Sequence, residues 1–393
     1  MKVNPQQILD DGFIILRSVI PPERLNQLRD SFEITVERQK AIWAQNRKPD
    51  APPGGEWETS PQPRVMFSNV ADKATADTIE FCLHENTRGV SCQLMRSKEA
   101  TVTLMALMCN PVRDHGPSHW HRDIHPIDQA PLGGLQSDML ENAPGYVQWN
   151  IPLYDDDVLW VVPGSHRRSN TDDENRQLIE NSRVPLPSSI PVELKAGDAV
   201  AYTNTIFHWG SNYSLKLRRT IHLGYRAFGG PIFPYVAHPY WRLDFGEYLS
   251  RWALEIFEGY CNLLEEECDR IVSVFHAMID KDADAFREGI AALHPGESGR
   301  MVCVTLLSKF AYKIRFKPPG YGGDITRSQD IGNRFSPEQI ETVWNRFAPL
   351  DAKLQSDTEQ YFPGFQSGPM RYHFYEMPSD FGIEEFIASW NEG

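Results

Sequence analysis

His121-Arg122-Asp123 sets an imidazole and a carboxylate two residues apart. On a strand, side chains two apart project from one face, so both could meet a single ion while Arg122 points the other way. Two imidazoles and one carboxylate cover one face of an octahedron and leave the opposite positions open, the arrangement a non-haem iron(II) oxygenase needs. The third ligand must come from elsewhere in the chain. By itself the pattern is weak, because Asp123 in a surface ion pair and His121 in a core hydrogen bond would be spelled the same way. Its surroundings strengthen it. Lys195-Ala196-Gly197-Asp198-Ala199-Val200-Ala201-Tyr202 reads as a tight turn feeding a strand that delivers His208 at its far end, and Arg218, Arg219 and Thr220 follow. An Arg on a strand lining a closed pocket offers a fixed fork to a carboxylate, and a hydroxyl two residues on shares its face. Arg218 and Thr220 therefore suit the distal carboxylate of 2-oxoglutarate.

The elements that must position these residues are mostly strands. Phe13 to Leu16, Val102 to Met108, Ser118 to Ile124, Tyr146 to Leu153, Trp160 to Val162, Ala199 to Thr203 and Arg218 to Tyr225 read as strands separated by turn signals, which suggests a sandwich or barrel. With 29 Pro and 27 Gly, the composition suits many short strands and turns. A short helix precedes Gly12, and Pro21-Pro22-Glu23 opens another running to about Ala44. Residues 48–63, rich in Pro and Gly, read as a loop. Past residue 230 the apolar period changes. Leu249, Trp252, Ala253, Ile256, Phe257, Tyr260, Leu263, Leu264, Ile271, Val272 and Phe275 recur as one face of a long helix. A further helix is expected from Ala283 to Leu293, and Ser336-Pro337-Glu338-Gln339 has the form of a capping box. We place a domain boundary there: residues 1–230 as the strand-rich unit with its N-terminal helices, and 231–393 as a mainly helical extension. The apolar stripe of the long helix must be buried, so the extension is expected to pack on the first unit and shape the substrate end or a subunit interface.

Composition sets the outer bounds. A chain of 393 residues with 41% hydrophobic content can bury a full-sized core. A formal charge of −14 and a pI near 5.3 provide no basic field for a nucleic acid or an anionic membrane surface, although a local pocket can still be basic. No apolar stretch approaches the roughly 20 residues that cross a bilayer, and a cytoplasmic protein is expected. The six cysteines lack any CxxC or disulfide spacing and read as reduced core thiols.

Several other residues have two readings. His119 shares a strand face with His121, so a ligand role by shifted register is open beside a supporting one; His115 suits the surface, and His125 flanks the motif. His166 in Pro163-Gly164-Ser165-His166 reads as part of a turn. Gln148 and Asn150 would line the pocket and contact the co-substrate if their strand face looks inward; otherwise that face is solvated and Val147, Trp149 and Ile151 point to the core. Trp120, Trp160 and Trp209 could wall the pocket or fill a core. Asp155-Asp156-Asp157 could hold a cation but reads better as a solvated turn.

Five segments in order resemble the phytanoyl-CoA dioxygenase-like family of Fe(II)/2-oxoglutarate oxygenases: Asp11-Gly12-Phe13-Ile14-Ile15-Leu16, Trp120-His121-Arg122-Asp123-Ile124-His125, Leu159 through Pro163-Gly164-Ser165-His166-Arg167, Ala196-Gly197-Asp198, and His208-Trp209-Gly210-Ser211-Asn212. The resemblance covers roughly residues 8 to 226. It implies a mainly β core, a double-stranded β-helix or jelly-roll barrel of the cupin type. It also implies His121, Asp123 and His208 as the metal triad, with Arg218 as the 2-oxoglutarate anchor. The family more often has Gln where this chain has Arg122. The interval from His208 to Arg218 is also one residue shorter than usual, which leaves Arg219 as a rival; alignment on Asn212 and Thr220 favours Arg218. The implied cofactors are Fe(II), 2-oxoglutarate and O2, and the implied reaction yields succinate and CO2 while oxidising a C–H bond of a small-molecule substrate. Asp123 favours hydroxylation over halogenation, because related halogenating enzymes lack the carboxylate. A binding or sensing protein without turnover and a metal hydrolase on the same barrel are the alternatives, and a homo-oligomer is left open.

Overall fold

The computed structural model describes residues 1–124, 130–228, 244–317, 328–354, 360–364, 368–372 and 376–391, the two segments between 360 and 372 by backbone alone. His125 and the boundary near residue 230 lie outside these ranges. Among the described residues up to 228, nine strands form two antiparallel sheets: β1 (Phe13–Leu16), β2 (Arg64–Met66), β3 (Ala100–Cys109), β4 (Tyr146–Pro152), β5 (Leu159–Val161), β6 (Ile190–Pro191), β7 (Ala199–Tyr202), β8 (His208–Gly210) and β9 (Arg219–Ala227). The larger sheet has the order β1-β7-β4-β9-β3-β2 and the smaller β6-β5-β8. A separate hairpin, β10 (Gln360–Gly364) with β11 (Gly368–Tyr372), was not expected from the sequence.

The period-2 alternation of the larger sheet gives its two faces different work. Val147, Trp149 and Ile151 of β4 and Ile221, Leu223 and Tyr225 of β9 share a core with Leu28, Phe32 and Val36, one stripe of the Pro22–Gln45 helix. The opposite face carries Gln148, Asn150, Thr220 and His222, all buried. The polar face of β4 is therefore buried and not solvated, while its apolar residues point to a core. Phe13, Val200 and Tyr202 of the larger sheet share a cluster with Leu159 and Val161 of the smaller and with Val192 and Leu194 just after β6, so the two sheets face each other.

The segment from Ser118 to Ile124 is not the expected strand. It pairs with β8 and the residues before it in broken register: Ser118 N–H bonds Gly210 O (2.9 Å), and His121 and His208 exchange both backbone bonds (3.2 and 3.0 Å). Three residues on one side thus answer two on the other, a bulge that ends regular pairing. Trp120 is buried beside it, donating its Nε1–H to Val184 O and stacking on Trp209 at 5.2 Å between ring centroids. Trp120, Trp160 and Trp209 fill an apolar cluster with Leu178, Leu186 and Phe207.

The long helix, Arg251–Asp280, is capped by Ser250 and serves two cores. Ala253, Phe257 and Tyr260 join the cluster under the larger sheet. Leu264, Cys268, Ile271, Val274 and Phe275 build a second cluster with the Ala283–Leu293, Arg300–Phe316 and Pro337–Leu354 helices. Between the two, Glu267 receives both Nη groups of Arg226 from β9 (2.8 and 2.6 Å). A second buried tie joins Asp138 of the Leu132–Asn142 helix to His294 (2.8 Å). The Ser336 capping box forms as expected, with reciprocal bonds to Gln339. All six cysteines are free thiols, and among the described residues no helix is long and apolar enough to cross a membrane.

Candidate metal centre and anion anchor

His121 and His208 enter the space between the sheets from opposite sides of a single backbone bridge, and their ring centroids lie 4.2 Å apart. Each ring is fixed the same way: its Nδ1 bonds the carbonyl two residues earlier, His119 O at 2.8 Å and Ile206 O at 3.1 Å. Nδ1 must therefore carry a proton, and Nε2 is turned toward Asp123. Asp123 completes the group, with carboxylate oxygens 3.6 Å from His121 Nε2 and 3.2 Å from His208 Nε2. All three donor atoms lie within 4.8 Å of one another. Gln148 Nε2 donates to Asp123 Oδ2 at 2.8 Å and holds that carboxylate in place.

Protonation states favour a cation. Burial raises the Asp123 carboxyl, but His208, His121 and the Gln148 bond outweigh it and hold it well below the usual range. Burial, reinforced by the neighbouring His208, pushes His121 down to about 3, so its ring is neutral. Two imidazoles and one carboxylate whose donor atoms converge match the donor set of a first-row divalent metal. The residues fit iron(II).

Arg218 and Thr220 both lie on the inner side, as alternation along β9 requires. Arg218 is buried, and its Nε donates to Asp156 Oδ2 at 2.7 Å, while its Nη1 is buried with no partner among the described residues. The Thr220 hydroxyl donates to the same Asp156 oxygen. Burial raises Asp156, yet Arg218 and these hydrogen bonds keep it below the ordinary carboxylate range. Arg219 points to the opposite face of the sheet, where it is also buried and pairs with Glu33 of the Pro22–Gln45 helix at 2.7 Å. The reading of Asp155-Asp156-Asp157 as a solvated turn needs correction at its middle member. Asp155 and Asp157 meet Lys195 and Lys216 at the surface, whereas Asp156 points inward.

Asn150 accepts from His222 Nδ1 at 2.8 Å, and burial with the charge of Arg64 pushes His222 down to about 3. Arg64 on β2, which the sequence did not single out, reaches toward this face: its charge also lowers His121. Tyr202 brings its ring within 5.2 Å of the His208 ring. His119 turns away to Ser182 and Arg183 and takes no part in the triad. His115 lies half-buried beside Arg113. His166 is buried and bonds Leu9 O at 2.9 Å. Arg122 is buried too, donating to the Ser165 and Thr205 carbonyls and lying over the Phe207 ring, so it braces the ligand segment from behind.

Among solved structures, the fold is similar to AviO1 from Streptomyces viridochromogenes Tue57 (21% identity, 58% of this chain and 96% of that one, TM-score 0.42). It is also similar to EctD from S. alaskensis, solved with 2-oxoglutarate and 5-hydroxyectoine (15%, 57% and 74%, 0.41). The alpha-ketoglutarate-dependent carbocyclase SnoK from nogalamycin biosynthesis is a third (17%, 57% and 82%, 0.40). No curated protein matches the chain in sequence. The family profile described as phytanoyl-CoA dioxygenase (PhyH) matches residues 8–220, more than half of the 393, and the chain belongs to that family of oxygenases, whose cofactors are Fe(II), 2-oxoglutarate and O2.

Proposed function

We propose that this chain is a cytoplasmic Fe(II)- and 2-oxoglutarate-dependent dioxygenase that hydroxylates a C–H bond of a small organic metabolite, releasing succinate and CO2. The observation that carries the reading is the convergence of His121, Asp123 and His208, both rings fixed through Nδ1 so that their Nε2 atoms turn toward the Asp123 carboxylate. These three would hold the metal, which with 2-oxoglutarate supplies the activation of O2 and the oxidation of the C–H bond. Arg218 would anchor the distal carboxylate: its buried, unpartnered Nη1 is a donor waiting for an anion. Gln148 keeps Asp123 aimed at the metal position, and Asn150 orients His222, which burial and Arg64 keep neutral, beside the co-substrate. Arg64 adds positive charge on the same face. Retention of Asp123 in the third ligand position supports hydroxylation over halogenation.

The two facing antiparallel sheets with the triad between them support a double-stranded β-helix for residues 1–230. The buried Arg226–Glu267 and Asp138–His294 pairs support residues 231–393 as an extension packed on that barrel, shielding its open end from solvent. The test is O2-dependent succinate release screened over a metabolite panel, with Fe(II) and 2-oxoglutarate omitted in turn. Turnover that persists without O2 or without 2-oxoglutarate would overturn the reading in favour of a metal hydrolase.

A further inference from the structure

Two carboxylates have a claim on one guanidinium. Asp156 holds Arg218 by its Nε edge, and through Oδ1 it accepts the Val158 backbone N–H at 2.9 Å, so the carboxylate is fixed in the β4–β5 connection and does not swing. It also takes the Thr220 hydroxyl. An ionised carboxylate only accepts, and a hydroxyl has one proton to give, so that proton is committed to Asp156. Thr220 then has only lone pairs to show an incoming anion. The Arg218–Asp156 pair is almost wholly buried, with 9% and 7% of the side chains exposed, and its formal charge is zero.

We infer that Asp156 is a positioning residue for the co-substrate: it presents Arg218 to the distal carboxylate by the Nη edge and sets the affinity for that dianion low. The inference rests on the reading of Arg218 as anchor. With Asp156 neutralised in place, Arg218 becomes a buried cation without its counter-charge, which destabilises the unliganded protein. The distal carboxylate of 2-oxoglutarate then supplies the missing charge, and binding tightens.

The experiment is titration calorimetry of 2-oxoglutarate into Mn(II)-loaded protein under anaerobic conditions, for wild type, Asp156→Asn, Asp156→Ala and Arg218→Ala. 2-Oxopentanoate, the same chain without the distal carboxylate, is the parallel probe. Asp156→Asn should bind 2-oxoglutarate about ten- to hundredfold more tightly, as for unit charges roughly 6–10 Å apart at an effective dielectric of about 20. Its affinity for 2-oxopentanoate should not change, and its apparent KM for 2-oxoglutarate should fall while kcat holds. Its melting temperature should drop without 2-oxoglutarate and recover by more than wild type's when it is added. Asp156→Ala, which also frees the Nε edge, should bind less tightly than Asp156→Asn. Weaker binding of both probes to Asp156→Asn would make Asp156 a mere brace of the fold and overturn the inference, as would unchanged binding. If Arg218→Ala leaves 2-oxoglutarate affinity intact, the anchor reading itself fails; if it weakens binding while Asp156→Asn does not tighten it, only the inference falls.

Discussion

Arg226→Met offers the sharpest probe of how the helical region is attached. Arg226 lies on β9 with 1% of its side chain exposed, and it meets Glu267 of the long helix, 8% exposed, in a two-pronged pair. Removing one member of such a buried pair strands the other charge and costs about 3–5 kcal/mol. Unfolding entropy of about 2.1 cal/mol/K per residue gives roughly 0.8 kcal/mol/K for a chain of this length, so melting should fall by about 4–6 °C. Glu267→Leu alone should cost a similar amount. The double variant Arg226→Met/Glu267→Leu should return to within about 1 kcal/mol of wild type, because matched apolar groups replace a buried pair at little net cost. Thermal melts followed by circular dichroism on all four proteins close the cycle. Single variants each costing under about 1 kcal/mol, with the double equal to their sum, would mean that the pair is solvated and the helical region loosely attached.

Other outcomes follow from the site. His121→Ala, Asp123→Ala and His208→Ala should each abolish Mn(II) binding and succinate production while keeping a wild-type circular dichroism spectrum; near-normal metal affinity in any one removes that residue from the triad. Arg218→Ala should raise the apparent KM for 2-oxoglutarate by roughly ten- to a hundredfold, the effect of losing a charge-assisted bond, and Arg219→Ala should change it little; the reverse order would show that Arg219 is the anchor. Burial pushes the His166 imidazole down to about 4, below its ordinary 6.5, so the unfolded chain takes the proton first. Stability is therefore complete above about pH 6.5 and declines toward pH 4 by about 3 kcal/mol for this one group. His166→Gln should flatten the acid limb of a stability-against-pH curve by that amount, and an unchanged limb would show that His166 is not held neutral.

Most elements were legible because their apolar period had one interpretation. Apolar runs bounded by turn signals located β1, β3, β4, β5, β7 and β9, the Pro21-Pro22-Glu23 start located the Pro22–Gln45 helix, and a 3.6-residue stripe located the Arg251–Asp280 helix. The Arg300–Phe316 helix escaped because every residue from Val302 to Ala311 is buried, and a helix enclosed on all sides has no stripe to read. The triad was legible as residue types, but the strand invoked to align His121 with Asp123 is a bulge created by pairing with β8, and local sequence holds no record of a distant partner. Asp156 was hidden by composition: three aspartates in a row look solvated, yet in an extended segment the middle one points opposite to its neighbours. Arg64 sits on a three-residue strand after a Pro-rich loop, too short for alternation to announce its direction.

The backbone bridge between His121 and His208 also makes the integrity of the centre observable without any metal. Each residue's amide hydrogen is held by the other's carbonyl, so neither can exchange with solvent unless the two ligand-bearing segments part. In a hydrogen-exchange experiment these two amides should therefore share one opening rate, and that rate is the frequency with which the chelating pair comes apart. Two backbone positions would report how firmly the chelating pair is held together.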